Sequence, residues 1–522
     1  MISKELKRAR EYEKTEGMHV PGELRPVYHF SPYIGWLNDP NGLSYYDGKY
    51  HLFYQYHPYD SHWGPMHWGH AASPDLIHWE YLPAALAPDT EYDKSGCFSG
   101  SAITMDDGSQ MIMYTSCGDS CDDPTGKGRW LQSQSIALKR PGSEEYIKYE
   151  GNPVIRESEL PEGGDAYEFR DPYLWRAPDG TYRVLVANGR QDPENDGTQL
   201  TVYRSADGFH WGEGKVLFED ERRIGVMWEC PNFFPLGDKH ILIASPMDMI
   251  AEEGEAEGSV RFPQGNNVCY ITGRFDEQTE VFTPDSDDAD AGYYIYEPVD
   301  GGLDFYAPQV LKTQDGRRVM IGWMQDPATG NLHAPEEFRI FGQMTVPREL
   351  DLIEGKLHQW PVREIESLRD PEPVVYRNED PGNEWRSLQG IRGRALDLTM
   401  EIETEPSCSE VEIRFACGGS CYTELRYLPE SSVLVIDRSH SGQKDNITKK
   451  RTLKVRDRGG RLDMRMLLDR WSAEVFINGG EQTMSVTFYT DPAAEDIMFR
   501  ADGPARMNIT GYRLSTDQET MK

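Results

Sequence analysis

Apolar and polar positions follow one another in short runs along most of this chain, and the runs begin at turns of one kind. A turn rich in Asp and Gly, followed by an apolar or aromatic stretch, occurs five times. The runs are Asp47-Gly-Lys-Tyr-His-Leu-Phe-Tyr54, Asp107-Gly-Ser-Gln-Met-Ile-Met-Tyr114, Asp179-Gly-Thr-Tyr-Arg-Val-Leu-Val186, Gly237-Asp-Lys-His-Ile-Leu-Ile243 and Asp315-Gly-Arg-Arg-Val-Met-Ile321. Each predicts a hairpin turn leading into a strand. Further strand candidates follow, such as Ser133-Gln-Ser-Ile-Ala-Leu138, Gln199-Leu-Thr-Val-Tyr-Arg204 and Asn267-Val-Cys-Tyr-Ile-Thr272, with almost no helical period.

The pattern is an internal repeat. Ser73-Pro-Asp-Leu-Ile-His-Trp79 and Ser205-Ala-Asp-Gly-Phe-His-Trp211 each begin 34 residues after an Asp-Pro pair, Asp39-Pro40 and Asp171-Pro172. Counting back eight residues from the first four turns reaches Asp39, Ser99, Asp171 and Glu229, and from the fifth Ala307, beside Tyr306. These read as one structural position seen five times. Five all-β units predict a five-bladed β-propeller in which these positions converge at one end of the central channel.

The pattern changes after residue 367. Asp370-Pro-Glu-Pro-Val-Val375 reads as part of a linker, and alternating strands follow: Val411–Phe415, Ser432–Ile436, Leu462–Leu467, Ser472–Ile477 and Thr483–Phe488. They suit a C-terminal β-sandwich. The expected organisation is an N-terminal extension over 1–25, the propeller over 26–367, a linker over 368–378 and the sandwich over 379–522. The fold class is all-β. A chain of 522 residues also exceeds what one core usually supports.

Lys and Arg total 54 against 88 for Asp and Glu, a balance of −34 that disfavours nucleic acid or an anionic membrane as partner and suits a neutral small molecule. The opening residues carry no apolar core of a signal peptide, so a cytoplasmic location is expected. The eight cysteines read as free thiols in a reducing compartment. Cys117/Cys121 and Cys417/Cys421 have a spacing too common to argue for metal, and Asn446-Ile-Thr and Asn508-Ile-Thr match an acceptor pattern that only secreted chains use. His57, His62, His67, His70 and His78 fall on strand and loop without a His-Glu-x-x-His helix, so neither metal nor cofactor is expected. His78 and His210 recur in the repeat, which points to a hydrogen bond that stabilises the blade.

Three carboxylates, Asp39, Asp171 and Glu229, come from three units yet should face one pocket. Breaking a glycosidic bond needs a proton donor for the leaving oxygen and a second carboxylate on the opposite face of the sugar, because the transition state is oxocarbenium-like. A third carboxylate can bind hydroxyls.

Trp36-Leu-Asn-Asp-Pro-Asn-Gly42, Phe169-Arg-Asp-Pro172 and Trp228-Glu-Cys-Pro231 resemble the three signature motifs of glycoside hydrolase family 32, the invertases, fructanases and sucrose-6-phosphate hydrolases. Phe53-Tyr-Gln-Tyr-His-Pro58, Trp63-Gly-Pro-Met-His-Trp-Gly-His-Ala71 and Phe98-Ser-Gly-Ser-Ala102 resemble family segments in the expected order. The resemblance implies a retaining β-fructofuranosidase that releases fructose from the non-reducing end of sucrose and short fructo-oligosaccharides. By it, Asp39 is the nucleophile, Glu229 the general acid/base and Asp171 the transition-state stabiliser. It also implies Trp36, Asn38, Gln55, Trp63, Phe98, Ser99 and Arg170 as sugar-binding residues, to which Tyr306 and Trp323 are added. Retention requires the Asp39 and Glu229 carboxyls roughly 5 to 5.5 Å apart. The alternatives are a fructosyltransferase, a sucrose-6-phosphate hydrolase, an inverting five-bladed glycosidase and a sugar-binding propeller without turnover. Oligomeric state is open, a homo-oligomer among the options.

Overall fold

A computed structural model describes residues 2–121, 129–190, 197–254, 259–286, 294–327, 338–442 and 447–516. Asn446 of the first acceptor pattern lies outside them, as do the Cys121 side chain and parts of the loops around residues 122 and 255.

The chain is all-β apart from one α-helix and three short 3-10 turns among the described residues. Five antiparallel sheets form the blades of a propeller. Blade 1 contains Gly35–Tyr46, Lys49–His57, His67–Ser73 and Glu80–Leu86. Blade 2 contains Gly96–Thr104, Gln110–Cys121, Arg129–Lys139 and Ile147–Lys148. Blade 3 contains Gly164–Arg176, Tyr182–Arg190, Thr198–Ser205 and Lys215–Asp220. Blade 4 contains Trp228–Leu236, Lys239–Pro246, Cys269–Asp276 and Val281–Pro284, and blade 5 contains Tyr306–Lys312, Arg318–Trp323, Arg348–Ile353 and Lys356–Pro361. All five Asp/Gly turns lead into the second strand of a blade, where the apolar run is buried against neighbouring blades. Ile340–Phe341 closes the ring by pairing in parallel with the first strand of blade 1.

The Ser-x-Asp-x-x-His-Trp repeat is a side-chain-built turn after the third strand. Asp75 accepts the NH groups of Ile77 and His78 at 3.1 and 2.9 Å and the His78 ring at 2.7 Å. Asp207 does the same for Phe209 and His210 at 2.8, 2.9 and 2.7 Å. The aspartate satisfies donors that the turn exposes, which is why Asp and His keep their spacing.

A bulge in each first strand aims residues into the channel. Ladder pairing skips Asn38 and Asp39 in blade 1, Ser99 in blade 2, Asp171 and Pro172 in blade 3, Cys230 and Pro231 in blade 4, and Ala307 and Pro308 in blade 5. Proline has no NH to donate, and an unpaired bulge position needs none. Asp171, Cys230 and Ala307, each before a proline, hold positive φ values of 62°, 47° and 46°, a conformation that L-residues adopt only under constraint.

The bulges correct the eight-residue count. Asp39, Ser99 and Asp171 lie within their bulges, whereas Glu229 is the last paired residue before one, opposite Ser245. The count slips in blade 4 because its turn reads Gly237-Asp238, and counting eight back from the aspartate reaches the bulge residue Cys230; the first strand of blade 1 carries a second bulge between Asn41 and Ser44. Gly42 sits in that second bulge at φ +54°, where a Cβ would meet Phe53 at 2.6 Å, so the motif ends in glycine.

The C-terminal β-sandwich packs two six-stranded sheets, one running Val374–Glu379, Ala505–Arg513, Leu396–Thr404, Arg461–Leu468, Ser472–Ile477 and Gln482–Thr487. Its core includes Ile413, Phe415, Val475 and Phe499. The stretch read as a linker therefore contributes an edge strand, Val374–Glu379, whose proline-flanked residues, none of them buried, suit an edge. Residues read only as an extension form a helix, Lys4–Gly17, capped by Ser3 accepting from Leu6 N at 3.0 Å. It docks on blade 1, where Arg10 Nε donates to Ala84 O at 2.9 Å and Ala84 N to Glu13 Oε1 at 2.9 Å. Among the described residues no helix is long and apolar enough to cross a membrane.

A buried ionic cluster fastens the propeller to the sandwich. His29 contacts Asp469 Oδ2 at 2.8 Å and Glu474 Oε1 at 2.9 Å, and Arg348 Nη2 reaches Glu474 Oε2 at 2.5 Å. The two carboxylates hold the His29 imidazolium against its burial, raising its pKa to about 9.

Candidate active site

The three carboxylates meet at the end of the channel where the bulges open. Asp39 Oδ2 accepts from Ser99 Oγ at 2.6 Å, and Oδ1 from Asn38 Nδ2 at 3.0 Å. Asn38 is itself fixed by Trp36 Nε1 at 2.7 Å. Cys230 stands between the two aspartates, its Sγ 3.7 Å from Asp39 Oδ2 and 3.6 Å from Asp171 Oδ2. Its backbone NH donates to Asp171 Oδ2 at 2.9 Å. Burial and the surrounding carboxylates raise its thiol pKa far above the ordinary value, so it remains an S–H.

Glu229 is held from two sides. Tyr306 OH donates to Oε2 at 2.7 Å and Arg170 Nε to Oε1 at 3.1 Å. Arg170 also pairs with Glu168.

Burial raises the pKa of all three acids. Arg170 and Tyr306 pull Glu229 down, while the Asp39 charge pushes it up. For Asp39 the Ser99 and Asn38 donors oppose burial by stabilising the carboxylate. Asp171 is pulled down by Arg170 and pushed up by Glu229 and Asp39. Three acids this close cannot all ionise freely, so the pocket keeps proton and charge in a divided set.

The other expected residues distribute around this centre. Trp36 stacks on Phe341 with centroids 5.0 Å apart and meets Trp323 edge-on at 5.8 Å. Trp323 is buried in the same core cluster. Gln55 is buried, its Nε2 donating to Cys97 O at 3.0 Å. Trp63 is 42% exposed and meets Phe98 at 6.1 Å and Trp130 at 6.0 Å, forming an aromatic rim. Of the five histidines, His51's partner His70 and His67 are buried, and the rest make local turn contacts; no group of His, Cys, Asp and Glu suited to a metal occurs among the described residues.

Sequence reasoning missed four contributors. Trp130 completes the rim, and Glu168 binds Arg170. Thr115 Oγ1 accepts from Asp171 N at 2.9 Å and is joined to Gln134 Oε1 at 3.0 Å. Only Glu168 carried a signal, an acid two residues before an arginine on one face of a strand.

A five-bladed propeller with three acids meeting at one end of its channel is the architecture expected of a glycoside hydrolase. The chain belongs to glycosyl hydrolases family 32, whose N-terminal domain matches residues 29–361 and whose C-terminal domain matches residues 364–513. It is 36% identical to a sucrose-6-phosphate hydrolase of Escherichia coli over 91% of each chain. It is 34% identical to a raffinose invertase of Escherichia coli, over 92% of this chain and 93% of that one. A family 32 β-fructofuranosidase structure from Bombyx mori superposes with a TM-score of 0.80 at 31% identity over 98% of each chain.

Proposed function

We propose that the chain is a retaining β-fructofuranosidase that hydrolyses sucrose-type substrates and releases their terminal fructose. The observation that carries this reading is the asymmetry of the carboxylates. Asp39 receives two neutral donors that favour its ionised form as the nucleophile, while Glu229 owes its raised pKa to burial, which outweighs Arg170 and Tyr306 and is reinforced by the Asp39 charge, and is suited to carry the proton for the departing oxygen.

In the first step Asp39 attacks the anomeric carbon of fructose as Glu229 protonates the bridging oxygen, leaving a fructosyl ester on Asp39. In the second, Glu229 takes a proton from water, which attacks that carbon and frees Asp39. Asp171, fixed by Cys230 N, accepts from ring hydroxyls and tightens on them as positive charge develops. Trp36, Asn38, Gln55, Trp63, Phe98, Ser99, Arg170, Tyr306 and Trp323 are proposed to bind or frame the sugar, Trp36 and Trp323 from the buried wall and Trp63 from the rim.

A second reading, hydrolysis of sucrose 6-phosphate, is favoured by the 36% identity with an enzyme named for that substrate. A hydrolysis panel of sucrose, sucrose 6-phosphate, inulin-type oligosaccharides and levan, with Asp39→Asn as control, tests both. Retained activity in Asp39→Asn overturns the proposed nucleophile, and an inverted first-formed sugar overturns the retaining mechanism.

A further inference from the structure

Glu168 takes no part in the two steps above, yet it is joined to the proposed general acid through Arg170 and reaches solvent. It lies two residues before Arg170 on Gly164–Arg176, with its side chain one-third exposed at 33%. It pairs with Arg170, whose Nε reaches Glu229 at 3.1 Å, and stands 3.7 Å from Arg129 Nη2. Arg129 also pairs with Asp165 and lies over the Tyr167 ring at 5.2 Å. Arg129, Glu168, Arg170 and Glu229 thus form an unbroken line of alternating charge.

An acid that protonates the leaving oxygen must face the leaving group. Side chains flanking Glu229 toward solvent therefore meet the part of the substrate that departs. Asp171 and Tyr306 are buried, whereas Glu168 and Arg129 are partly exposed, so of the side chains joined to Glu229 those on the Glu168 side are the ones that reach solvent. Two guanidinium groups there are already compensated by Asp165, Glu168 and Glu229. A phosphate entering this set would meet the Glu168 carboxylate and would have to displace it from both arginines. A repulsive group placed against one competitor is an effective source of discrimination.

We infer that Glu168 is a specificity-determining residue which keeps Arg129 and Arg170 committed and makes the leaving-group side accept a neutral sugar in preference to a phosphorylated one. The inference rests on the sucrose-type reading above. The test is kcat/KM for sucrose and for sucrose 6-phosphate, at fixed ionic strength, in the wild-type enzyme and in Glu168→Gln. The wild type is expected to favour sucrose, and Glu168→Gln to raise the ratio of phosphorylated to neutral activity about tenfold or more. A wild type that favours the phosphorylated sugar, or an unchanged ratio in Glu168→Gln, overturns the inference while leaving the fructosidase reading intact. A wild type that hydrolyses neither overturns both. Should Glu168→Gln not fold, product inhibition of the wild type decides: glucose 6-phosphate inhibiting no more tightly than glucose supports the inference, and tighter inhibition overturns it.

Discussion

Thr115 ties the backbone of Asp171 to blade 2: its buried hydroxyl accepts the Asp171 NH at 2.9 Å and is 3.3 Å from Ser99 O. One side chain thereby sets the spacing between the strand that carries the Asp39 partner and the strand that carries Asp171, whose φ is +62°. Thr115→Val keeps the shape and removes the acceptor. Leaving a buried NH unsatisfied costs about 1–3 kcal/mol, which thermal or urea unfolding would register. The kcat for sucrose should fall more than KM rises, because Asp171 acts most strongly on the transition state. An unchanged kcat would show that Asp171 keeps its place without this bond.

The proposed acid and nucleophile make separable demands. Glu229→Gln should lower kcat/KM for sucrose by about 10²–10⁴-fold, the range of general acid–base catalysis, and Asp39→Asn at least as far. A leaving group that needs no proton should recover much of the first step in Glu229→Gln and none in Asp39→Asn. Equal recovery in both variants would exchange or abolish the assigned roles.

Activity should be bell-shaped in pH, since Asp39 must be ionised and Glu229 protonated. The rate falls as pH drops through the pKa of Asp39 and falls again as pH rises through that of Glu229. Ser99→Ala removes a donor that favours ionised Asp39. The Asp39 pKa then rises, and the acid limb of kcat/KM moves to higher pH. A limb that stays where it was would mean another group governs it.

The fold was legible where residue type answers a backbone demand. Asp75 and Asp207 each satisfy a turn, and Pro172, Pro231 and Pro308 each occupy an unpaired bulge, so the repeat left marks in the sequence. Lys4–Gly17 left none: its buried face contains only Leu6, Ala9 and Gly17, too narrow a stripe to stand out among charged residues. At the site, the carboxylates were visible through their motifs. Trp130 and Thr115 were not, because they reach the pocket from neighbouring strands of blade 2 through pairings far apart in sequence. The displaced register of Glu229 came from the order of the fourth turn, Gly237-Asp238, whose aspartate stands one residue later than in the other four turns.

The His29 clamp predicts an alkaline weakness. Its folded pKa, about 9, lies above the ordinary histidine value, so its stabilisation is complete below about pH 6.5, declines as pH rises, and is lost above about 9. The loss is on the order of 3 kcal/mol by linkage. Urea unfolding from pH 6 to 10 should show this decline, and His29→Gln should flatten it while lowering stability at neutral pH. A His29→Gln enzyme with the same alkaline slope would assign the weakness elsewhere.

In each inner strand the ladder bonds run above and below the bulge and skip residues that face the channel. Changing a skipped side chain removes no pairing, and those positions already hold a serine, a cysteine and an alanine beside their aspartates. The channel is therefore a ring of five sockets whose contents answer to one another across the channel, as Ser99, Asp39, Cys230 and Asp171 do, and not to the ladder of any single blade.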